Sequence, residues 1–218
     1  MATLTTATTA ATGGPRSRKG EETRARLVVA AKEVFEEHGF VEARISDIAK
    51  RAGLSSHGAF YHYFDSKEQV FREVAAKLDD LLAEPMESVI LAPDLDADPR
   101  TRLVIALRQH LESYREEARI MGVIEQVARY DDGVAEVRFA RITKHREEIA
   151  HSIRHLQRRG DADPTIDPVI AAAALGAMAE RFAEMWLVQG LLECDVDGAA
   201  ETLAALMVNG LKIADPPP

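Results

Sequence analysis

Several features are rare or missing in this sequence of 218 residues, and each absence excludes a class of protein. The single cysteine, Cys194, cannot form a disulfide within the chain, which predicts a reducing, cytoplasmic setting. No apolar run approaches the roughly 18–20 residues that a bilayer-spanning helix needs. Aromatic residues make up only 6% of the chain, and no alternating apolar pattern predicts a β-strand of any length. What remains is a helical protein with enough apolar residues for a core.

Motifs of catalysis and metal binding are also missing. The sequence has no Gly-rich phosphate loop, nucleophile elbow or paired-carboxylate arrangement. Glu148 and His151 have the Glu-x-x-His spacing of di-iron bundles, but such a site requires two copies and the chain has one. His151 and His155 could share a transition metal, yet the apolar pattern places them on a solvated helix face. We therefore expect no enzymatic activity, no cofactor and no metal site.

The charge of the chain is unevenly distributed. The net charge is −9, yet residues 15–77 carry 12 basic and 10 acidic side chains, whereas residues 78–218 carry 15 and 26. An acidic protein can still bind DNA when its basic groups gather on one face. Residues 1–14 contain six Thr and four Ala and no charged side chain. Residues 1–18 are therefore predicted to form a flexible tail rather than a signal peptide.

The apolar pattern predicts four helices in the first third of the chain. They cover residues 21–38, 46–53, 57–64 and about 67–83. Gly39 is expected to stop the first helix, and the hydroxyl of Ser46 to cap the second. The spacing of Asp65 and Glu68 predicts a capping box before the fourth. Pro85 is expected to end that helix because proline lacks a backbone N–H.

Beyond a predicted loop at residues 92–99 the pattern stays helical to the end of the chain. Helices are expected at about 100–117, 119–130, 133–158, 167–191 and 197–213. The breaks between them fall at turn-forming residues, among them Gly133, Gly160 and Pro168. The sequence therefore predicts an all-α protein.

The second and third predicted helices carry the functional signal. Two short helices joined by a tight turn that contains glycine form a helix-turn-helix. A helix that enters a major groove about 12 Å wide needs small or polar residues on its leading face. That face would consist of Ser55, Ser56, His57, Gly58 and His62. Phe60 would pack on the opposite side. A helical hairpin that binds no nucleic acid has the same spacing, so both interpretations stand at this point.

The same residues resemble a known family. They are Ile48-Ala49, Ala52-Gly53-Leu54-Ser55, Gly58-Ala59-Phe60-Tyr61-His62-Tyr63-Phe64 and Ser66-Lys67-Glu68, together with Phe35 and Gly39. Over about residues 20–75 the chain resembles the N-terminal domain of TetR-type (tetracycline-repressor-like) transcriptional regulators. In the family's usual turn one residue separates the Ser from the Gly of the recognition helix. This chain has two, Ser56 and His57, which shifts by one position the side chain that would meet a base.

The resemblance implies an architecture and a function. A helix-turn-helix DNA-binding domain, residues 19–66, would be joined by a long helix to a C-terminal effector-binding and dimerisation domain, residues 67–218. A homodimer would bind a palindromic operator in double-stranded DNA, and a small molecule would release it, as in a repressor. Two alternatives stay open: a helix-turn-helix regulator controlled by a protein partner, and a helical metalloprotein.

The resemblance also implies a set of DNA contacts. Bases would be contacted by Ser55, Ser56, His57 and Gly58. Ser46 and Lys67 would contact phosphates at helix N-termini, and Tyr61 and His62 would lie at the DNA backbone. Charge alone adds Arg44 and the segment Arg16-Ser17-Arg18-Lys19 as phosphate or minor-groove contacts, with a solvated tail as the equal alternative for that segment.

The last two helices are expected to form the dimer interface. Helix 167–191 is apolar nearly all round, and such a helix must be buried on all sides. One face can meet its own domain and another the partner, with helix 197–213 beside it. A central core helix within one subunit would show the same pattern.

An effector pocket is predicted from polar residues that interrupt apolar stripes. His145 lies between Ile142 and Ile149 in this way, and a polar group in an apolar lining can orient a ligand. The predicted lining consists of Tyr114, Met121, Glu125, Phe139, Ile142, His145, Phe182, Met185, Trp186 and Gln189. Such a lining favours a lipophilic or acyl-type effector, although core packing also explains each of these residues.

Overall fold

The computed structural model describes residues 17–90 and 98–213, excluding the side chains of residues 86–90. Within these ranges the chain forms eight α-helices and no strand, which confirms the all-α prediction. They are α1 Arg18–Glu42, α2 Ile45–Arg51, α3 Lys67–Ile90, α4 Pro99–Glu116, α5 Ala118–Ala128, α6 Asp132–Arg159, α7 Pro168–Ala183 and α8 Val196–Leu211. A 3₁₀ helix, His57–His62, precedes α3, and a π-helical turn, Glu184–Val188, follows α7. Residues 1–16 of the predicted tail and 92–97 of the predicted loop lie outside the described residues.

Helix α3 is longer than the sequence predicts, because Pro85 lies inside it rather than ending it. A proline within a helix costs about 3 kcal/mol, since it lacks an N–H and crowds the preceding turn. Leu78, Leu82 and Pro85 are all buried. Burying a leucine side chain stabilises a fold by about 1.5–3 kcal/mol, so the packing of this helix offsets the cost of its proline.

Two predicted helix caps are displaced by one residue or more. At the start of α3 the Ser66 hydroxyl accepts from the backbone N–H of Gln69 at 3.2 Å. The Gln69 side chain in turn accepts from the N–H of Asp65. The capping side chain is therefore that of Ser66 rather than Asp65, and the side chain that reaches back is that of Gln69 rather than Glu68. Ser46 is likewise not an N-cap, since α2 begins one residue earlier and places Ser46 in its first turn.

The N-terminal helices share a core built around aromatic rings. Phe71 of α3 packs edge-on against Phe35, with ring centroids 4.9 Å apart, and against Phe40 at 4.8 Å. Phe60 and Phe64 lie 5.6 Å apart and are buried. The first turns of α3 therefore belong to the same core as α1, α2 and the 3₁₀ helix.

Helices α4–α8 and the rest of α3 form a larger bundle. Helix α3 packs against α4 and α6, α4 against α8, and α6 against α7. Helix α5 packs against α1, so the two parts of the chain also meet away from α3. None of the described helices combines the length and hydropathy that a membrane span would need.

Gly39 interrupts α1 where the sequence predicts a stop. Its φ of 71° and ψ of 173° fall in a region that is essentially restricted to glycine. The resulting kink returns Phe40 to the aromatic core.

We expect the substitution Gly39→Ala to lower the free energy of unfolding by about 1–3 kcal/mol. An added Cβ would meet no atom within 4 Å, so backbone strain alone would cause the loss. Urea unfolding followed by circular dichroism measures it. Gly58→Ala is the matched control, because the φ of Gly58 is not positive and its Cβ would lie 3.8 Å from Ser56 Oγ. Equal effects of the two substitutions would contradict this account.

Candidate DNA-binding interface and effector cavity

The four predicted base-contacting residues form one continuous exposed segment. Ser55 and Ser56 lie in the turn after α2, and His57 and Gly58 begin the 3₁₀ helix. Ser56 occupies the N-cap position, yet its side chain makes no capping hydrogen bond. The helix buries Phe60 on its inner side, so small and polar groups are what it presents to solvent.

The predicted backbone contacts lie on either side of this segment. Tyr61 and His62 are exposed at the end of the 3₁₀ helix, and the Tyr61 ring packs edge-on against Phe60 at 5.5 Å. Arg44 and Ser46 are exposed at the start of α2. Each of these side chains is accessible for a phosphate contact.

Lys67 has a structural role in this fold that the sequence did not reveal. Its ammonium donates hydrogen bonds to the carbonyl oxygens of Phe40 at 2.7 Å, Val41 at 3.1 Å and Ala43 at 3.0 Å. It also lies 4.7 Å from the centroid of the Phe40 ring. An ammonium has three N–H groups, and all three are used here. The predicted phosphate contact would require one of these bonds to break.

The predicted basic arm belongs in part to α1. Ser17 caps that helix, since its hydroxyl accepts from the N–H of Gly20 at 3.2 Å. Arg18 and Lys19 are exposed in its first turn, and Arg18 pairs with Glu22 at 3.1 Å. The tail boundary at residue 18 is therefore corrected, because helix capping orders the chain from Ser17 onward. Arg16 lies outside the described residues.

Two contacts that no local pattern predicted hold the DNA-binding helices together. Arg24 of α1 forms an ion pair with Glu73 of α3, and its guanidinium lies 4.5 Å from the centroid of the Phe64 ring. Arg51 of α2 pairs with Glu37 of α1 at 2.6 Å, which lowers the pKa of the Glu37 carboxyl. Both pairs join residues far apart in sequence, so no fixed spacing could have indicated them.

Comparison with known proteins identifies this unit. Residues 27–74 match the family described as "Bacterial regulatory proteins, tetR family", a range that contains α2, the 3₁₀ helix and the start of α3. The HTH-type transcriptional regulator YdgC of Bacillus subtilis is 27% identical over 191 residues, which cover 88% of this chain and 91% of YdgC. Residues 27–74 therefore form a TetR-family domain. The chain is accordingly a helix-turn-helix transcriptional regulator.

Solved structures share the TetR-family fold along most of the chain. A TetR-family protein from Mesorhizobium loti superimposes with a TM-score of 0.76 at 18% identity, over 89% of this chain and 98% of that one. NalD of Pseudomonas aeruginosa, described as the secondary repressor of the MexAB-OprM multidrug efflux pump, is 25% identical with a TM-score of 0.68. The match covers 90% of this chain and 99% of NalD.

The C-terminal bundle of this regulator contains a cavity of about 1120 Å³. The six helices α3 to α8 contribute its walls. Much of the wall is apolar, as with Leu103, Leu107, Ile153, Leu175 and Met207. Ligand pockets in proteins usually measure about 300–1,000 Å³, so this cavity is large enough for a drug-sized molecule.

Three of the predicted lining residues, Glu125, Ile142 and His145, do line the cavity. The others do not: Tyr114, Met121, Phe139, Phe182, Met185, Trp186 and Gln189. Tyr114 and Met121 are wholly buried in the surrounding core, whereas Phe139 is 69% exposed on α6. Apolar periodicity marks a buried face but does not distinguish a cavity wall from a filled core.

Three of the residues predicted to line the cavity, Met185, Trp186 and Gln189, follow the end of α7. The sequence predicted one regular helix over 167–191, but regular α-geometry ends at Ala183 and residues Glu184–Val188 form the turn. A π-helical turn inserts extra chain and rotates every later side chain relative to the preceding stripe. Met185 and Trp186 lie within this turn, which packs against α5, and neither side chain lines the cavity.

A buried cluster of charges closes one end of the cavity. The guanidinium of Arg138 lies 2.8 Å from Glu125, 3.4 Å from Glu180 and 3.6 Å from Asp79. The side chains of Arg138 and Asp79 are only 9% and 11% exposed. Burial raises the pKa of Asp79 to about 6, an effect that Arg138 opposes and the neighbouring carboxylates increase. Burial likewise raises the pKa of Glu125.

Two histidines lie in the cavity wall. Nδ1 of the buried His110 lies 2.8 Å from the carbonyl oxygen of Leu82, and since a carbonyl only accepts, Nδ1 carries the proton. Nε2 of His110 is buried without a hydrogen-bond partner. Burial lowers the pKa of His145, which Glu148 at 3.9 Å opposes. Within residues 17–90 and 98–213, no three His, Cys, Asp or Glu side chains converge on a possible metal site.

The raised pKa of Asp79 predicts how stability depends on pH. A carboxyl that binds its proton more tightly when folded stabilises the fold at low pH, and this contribution is lost as pH rises from about 3.8 to about 6. The difference between these pKa values corresponds to roughly 3 kcal/mol. We therefore expect Asp79→Asn to match the parent chain at pH 4 and to be more stable by up to about 3 kcal/mol at pH 7.5.

Urea unfolding of both chains at several pH values tests this expectation. Asp80→Asn serves as the control, because Asp80 is the exposed neighbour that pairs with Arg141. A gain in stability that is the same at pH 4 and pH 7.5 would contradict the assigned role of Asp79.

Proposed function

We propose that this protein is a repressor that binds a palindromic operator as a homodimer and releases it when a small, lipophilic effector occupies the cavity. One observation carries the proposal. A single continuous helix, α3, begins shortly after the exposed residues 55–58, the recognition segment, and runs to the cavity wall. Residues 19–66 would bind DNA, and residues 67–218 would bind the effector and the partner subunit. The repressor role has a parallel in NalD, which is described as a repressor.

Each exposed residue of the recognition surface has a proposed role. Bases are contacted by Ser55, Ser56, His57 and Gly58. Phosphates are contacted by Arg44, Ser46, Tyr61 and His62. Lys67 acts indirectly, because its three hydrogen bonds fix the start of α3 against the end of α1. Phosphate contacts would set the register on the duplex, and the base contacts would select the sequence.

Helix α3 also provides a route from the effector to the DNA. Lys67 and Asp79 lie on this helix about 18 Å apart along its axis. A ligand that separates Asp79 from Arg138 changes the contact between α3 and α6, and Lys67 transfers a shift of α3 to the segment before α2. A second link joins α5 to α1, where Glu117 pairs with Lys32 at 2.7 Å.

Helices α7 and α8 are the proposed dimer interface. Val169 and Ile170 of α7 and Leu206 of α8 are exposed large apolar side chains. The small residue Ala174 is also exposed on α7 and would let helices approach closely. Contiguous exposed apolar surface on a folded chain indicates an interaction site.

The effector is proposed to be a small molecule rather than a protein, because the cavity lies between six helices of the bundle. No catalytic role is proposed. The site of action would be operator DNA in the cytoplasm. A metabolite screen separates the two kinds of effector, since a protein-controlled regulator would bind DNA normally and respond to no small molecule.

The DNA-binding proposal predicts two distinct classes of variant. After selection of the operator from random duplexes, Ser56→Ala and His57→Ala should weaken binding to that site by about 1–3 kcal/mol and relax its sequence preference. Arg44→Ala should weaken binding to all duplexes alike and lower the slope of log K against log salt by about one. Fluorescence anisotropy with the selected and random duplexes at several salt concentrations measures both effects.

A selected site without two-fold symmetry would contradict the proposed dimeric mode of binding. Equal losses on selected and random duplexes for Ser56→Ala and His57→Ala would remove their base-reading role. Val29→Ala is a control for surface perturbation, since Val29 is exposed on α1 outside the recognition segment.

The dimer proposal predicts that Ile170→Glu and Leu206→Glu shift the protein from dimer to monomer, because each would place a charge in an apolar interface. Sedimentation velocity measures the shift. Phe139→Glu is a matched control: Phe139 is 69% exposed on α6 and Ile170 is 70% exposed on α7. Dissociation by Phe139→Glu together with intact Ile170→Glu dimers would place the interface elsewhere.

A further inference from the structure

We infer that the charged end of the cavity binds a positively charged nitrogen group, such as a protonated amine, on an otherwise apolar ligand. The inference rests on the proposed role of the cavity as the effector site. It narrows the effector from lipophilic molecules in general to amphipathic cations. Three independent observations support it: the local charge, the burial of that charge, and hydrogen-bond acceptors without donors.

The local charge at this end is negative. Three carboxylates, those of Asp79, Glu125 and Glu180, surround the guanidinium of Arg138, and all four side chains line the cavity. One guanidinium balances one carboxylate, so two negative charges remain in the cluster. Among the neighbouring charges, Asp80 pairs with Arg141 and Glu184 pairs with Arg181. Arg129 also acts on Glu125, but it is exposed and does not line the cavity.

Because this end of the cavity is buried, the charge of a ligand affects its binding more here than elsewhere in the cavity. The cavity follows α6 from Arg138 to Arg159, which is about 31 Å along the helix axis. Two other cations of the cavity wall are largely solvated and paired. Lys144, about 9 Å along α6 from Arg138, is 60% exposed and pairs with Glu148, and Arg159 at the far end is 64% exposed and pairs with Asp161. Charges interact weakly in water and far more strongly where water is excluded. A ligand cation therefore gains most at the Arg138 end, and a ligand anion is repelled there.

Two buried acceptors without donors point to the same chemistry. Oδ2 of Asp79 has no hydrogen-bond partner, and neither has Nε2 of His110, which can accept a hydrogen bond when the ring carries its single proton on Nδ1. Both residues line the cavity, and His110 is more than nine-tenths buried. A protonated amine carries N–H donors and a positive charge together. Nη1 of Arg138 also lacks a hydrogen bond but already faces Asp79 at 3.6 Å.

Three probes with the same ten-carbon chain isolate the effect of charge: decylammonium, decanol and decanoate. Binding to the full chain at pH 7.5 is measured by calorimetry and by the fluorescence of Trp186, the single tryptophan, two residues from Glu184. We expect decylammonium to bind at least about tenfold more tightly than decanol, and decanoate to bind more weakly than both.

Matched variants assign the preference to the cluster. The double variant Asp79→Asn, Glu125→Gln should bind decanol as the parent chain does and lose the preference for decylammonium. Glu148→Gln is the control, because it removes a carboxylate from the same cavity about 15 Å farther along α6 and should keep the preference. If the double variant no longer binds decanol, Glu180→Gln replaces it, since Glu180 is the most exposed of the three carboxylates.

The inference is overturned if decanoate binds as tightly as decylammonium, or if the preference survives in the cluster variants. Its failure is distinguishable from failure of the proposed function. Operator binding without any probe tests the regulator alone. Tight decylammonium binding that leaves the operator complex intact supports the cation site and contradicts the effector role of the cavity.

Discussion

The position of α3 depends on one ammonium group. Lys67 donates its three N–H groups to carbonyls at the end of α1 and before α2. Carbonyls at a helix end lack partners within their own helix, so this lysine satisfies groups that would otherwise need water. The first turn of α3 is thereby fixed beside the recognition segment. This contact helps to set the direction of the α3 axis, and thereby the positions of the α3 residues in the cavity wall.

Farther along, α3 contributes Asp79 to a charge cluster that lowers the stability of the folded chain. Asp79 is buried beside Arg138 with Glu125 and Glu180 close by, and its raised pKa shows that ionisation is opposed there. Replacing a buried ion cluster by apolar residues often stabilises a protein, so such a cluster is weak evidence for a stabilising role. Strain of this kind is typical of binding sites, where stability and function conflict. The cluster is better explained by what the cavity binds than by the folding of the bundle.

How much the sequence predicted depended on how local each signal was. The helix-turn-helix segment from Ser55 to Phe64 was recognisable because its small, polar and aromatic residues lie within a few turns of each other. Pro85 misled the prediction because the burial that tolerates it comes from other helices. Lys67 could be placed in the right segment, but its three carbonyl partners lie 24 to 27 residues away. Its role as a clamp therefore required the fold.

The cavity was even harder to predict, because its residues come from helices that are distant in the sequence. Its charged end draws residues from α3, α5, α6 and α7, and in each helix the charge alone looks like part of a solvated face. Only Glu125 was anticipated, because it interrupts an apolar stripe. Met185 and Trp186 instead lie in a π-helical turn that packs against α5 and do not line the cavity. Periodicity assumes one regular geometry per helix, so it fails where that geometry changes.

The unbalanced charge links the stability of the protein with its proposed response. The buried carboxylate of Asp79 destabilises the folded chain above its raised pKa, and the nearby Glu125 and Glu180 increase this effect. A cation bound in the cavity removes the repulsion among these carboxylates and stabilises only the folded state, by an amount that grows with the ratio of ligand concentration to Kd. The same carboxylates that weaken the unliganded bundle thus increase the free energy available from binding. Because Asp79 lies on α3, binding of a cation would act directly on the helix that begins beside the recognition segment.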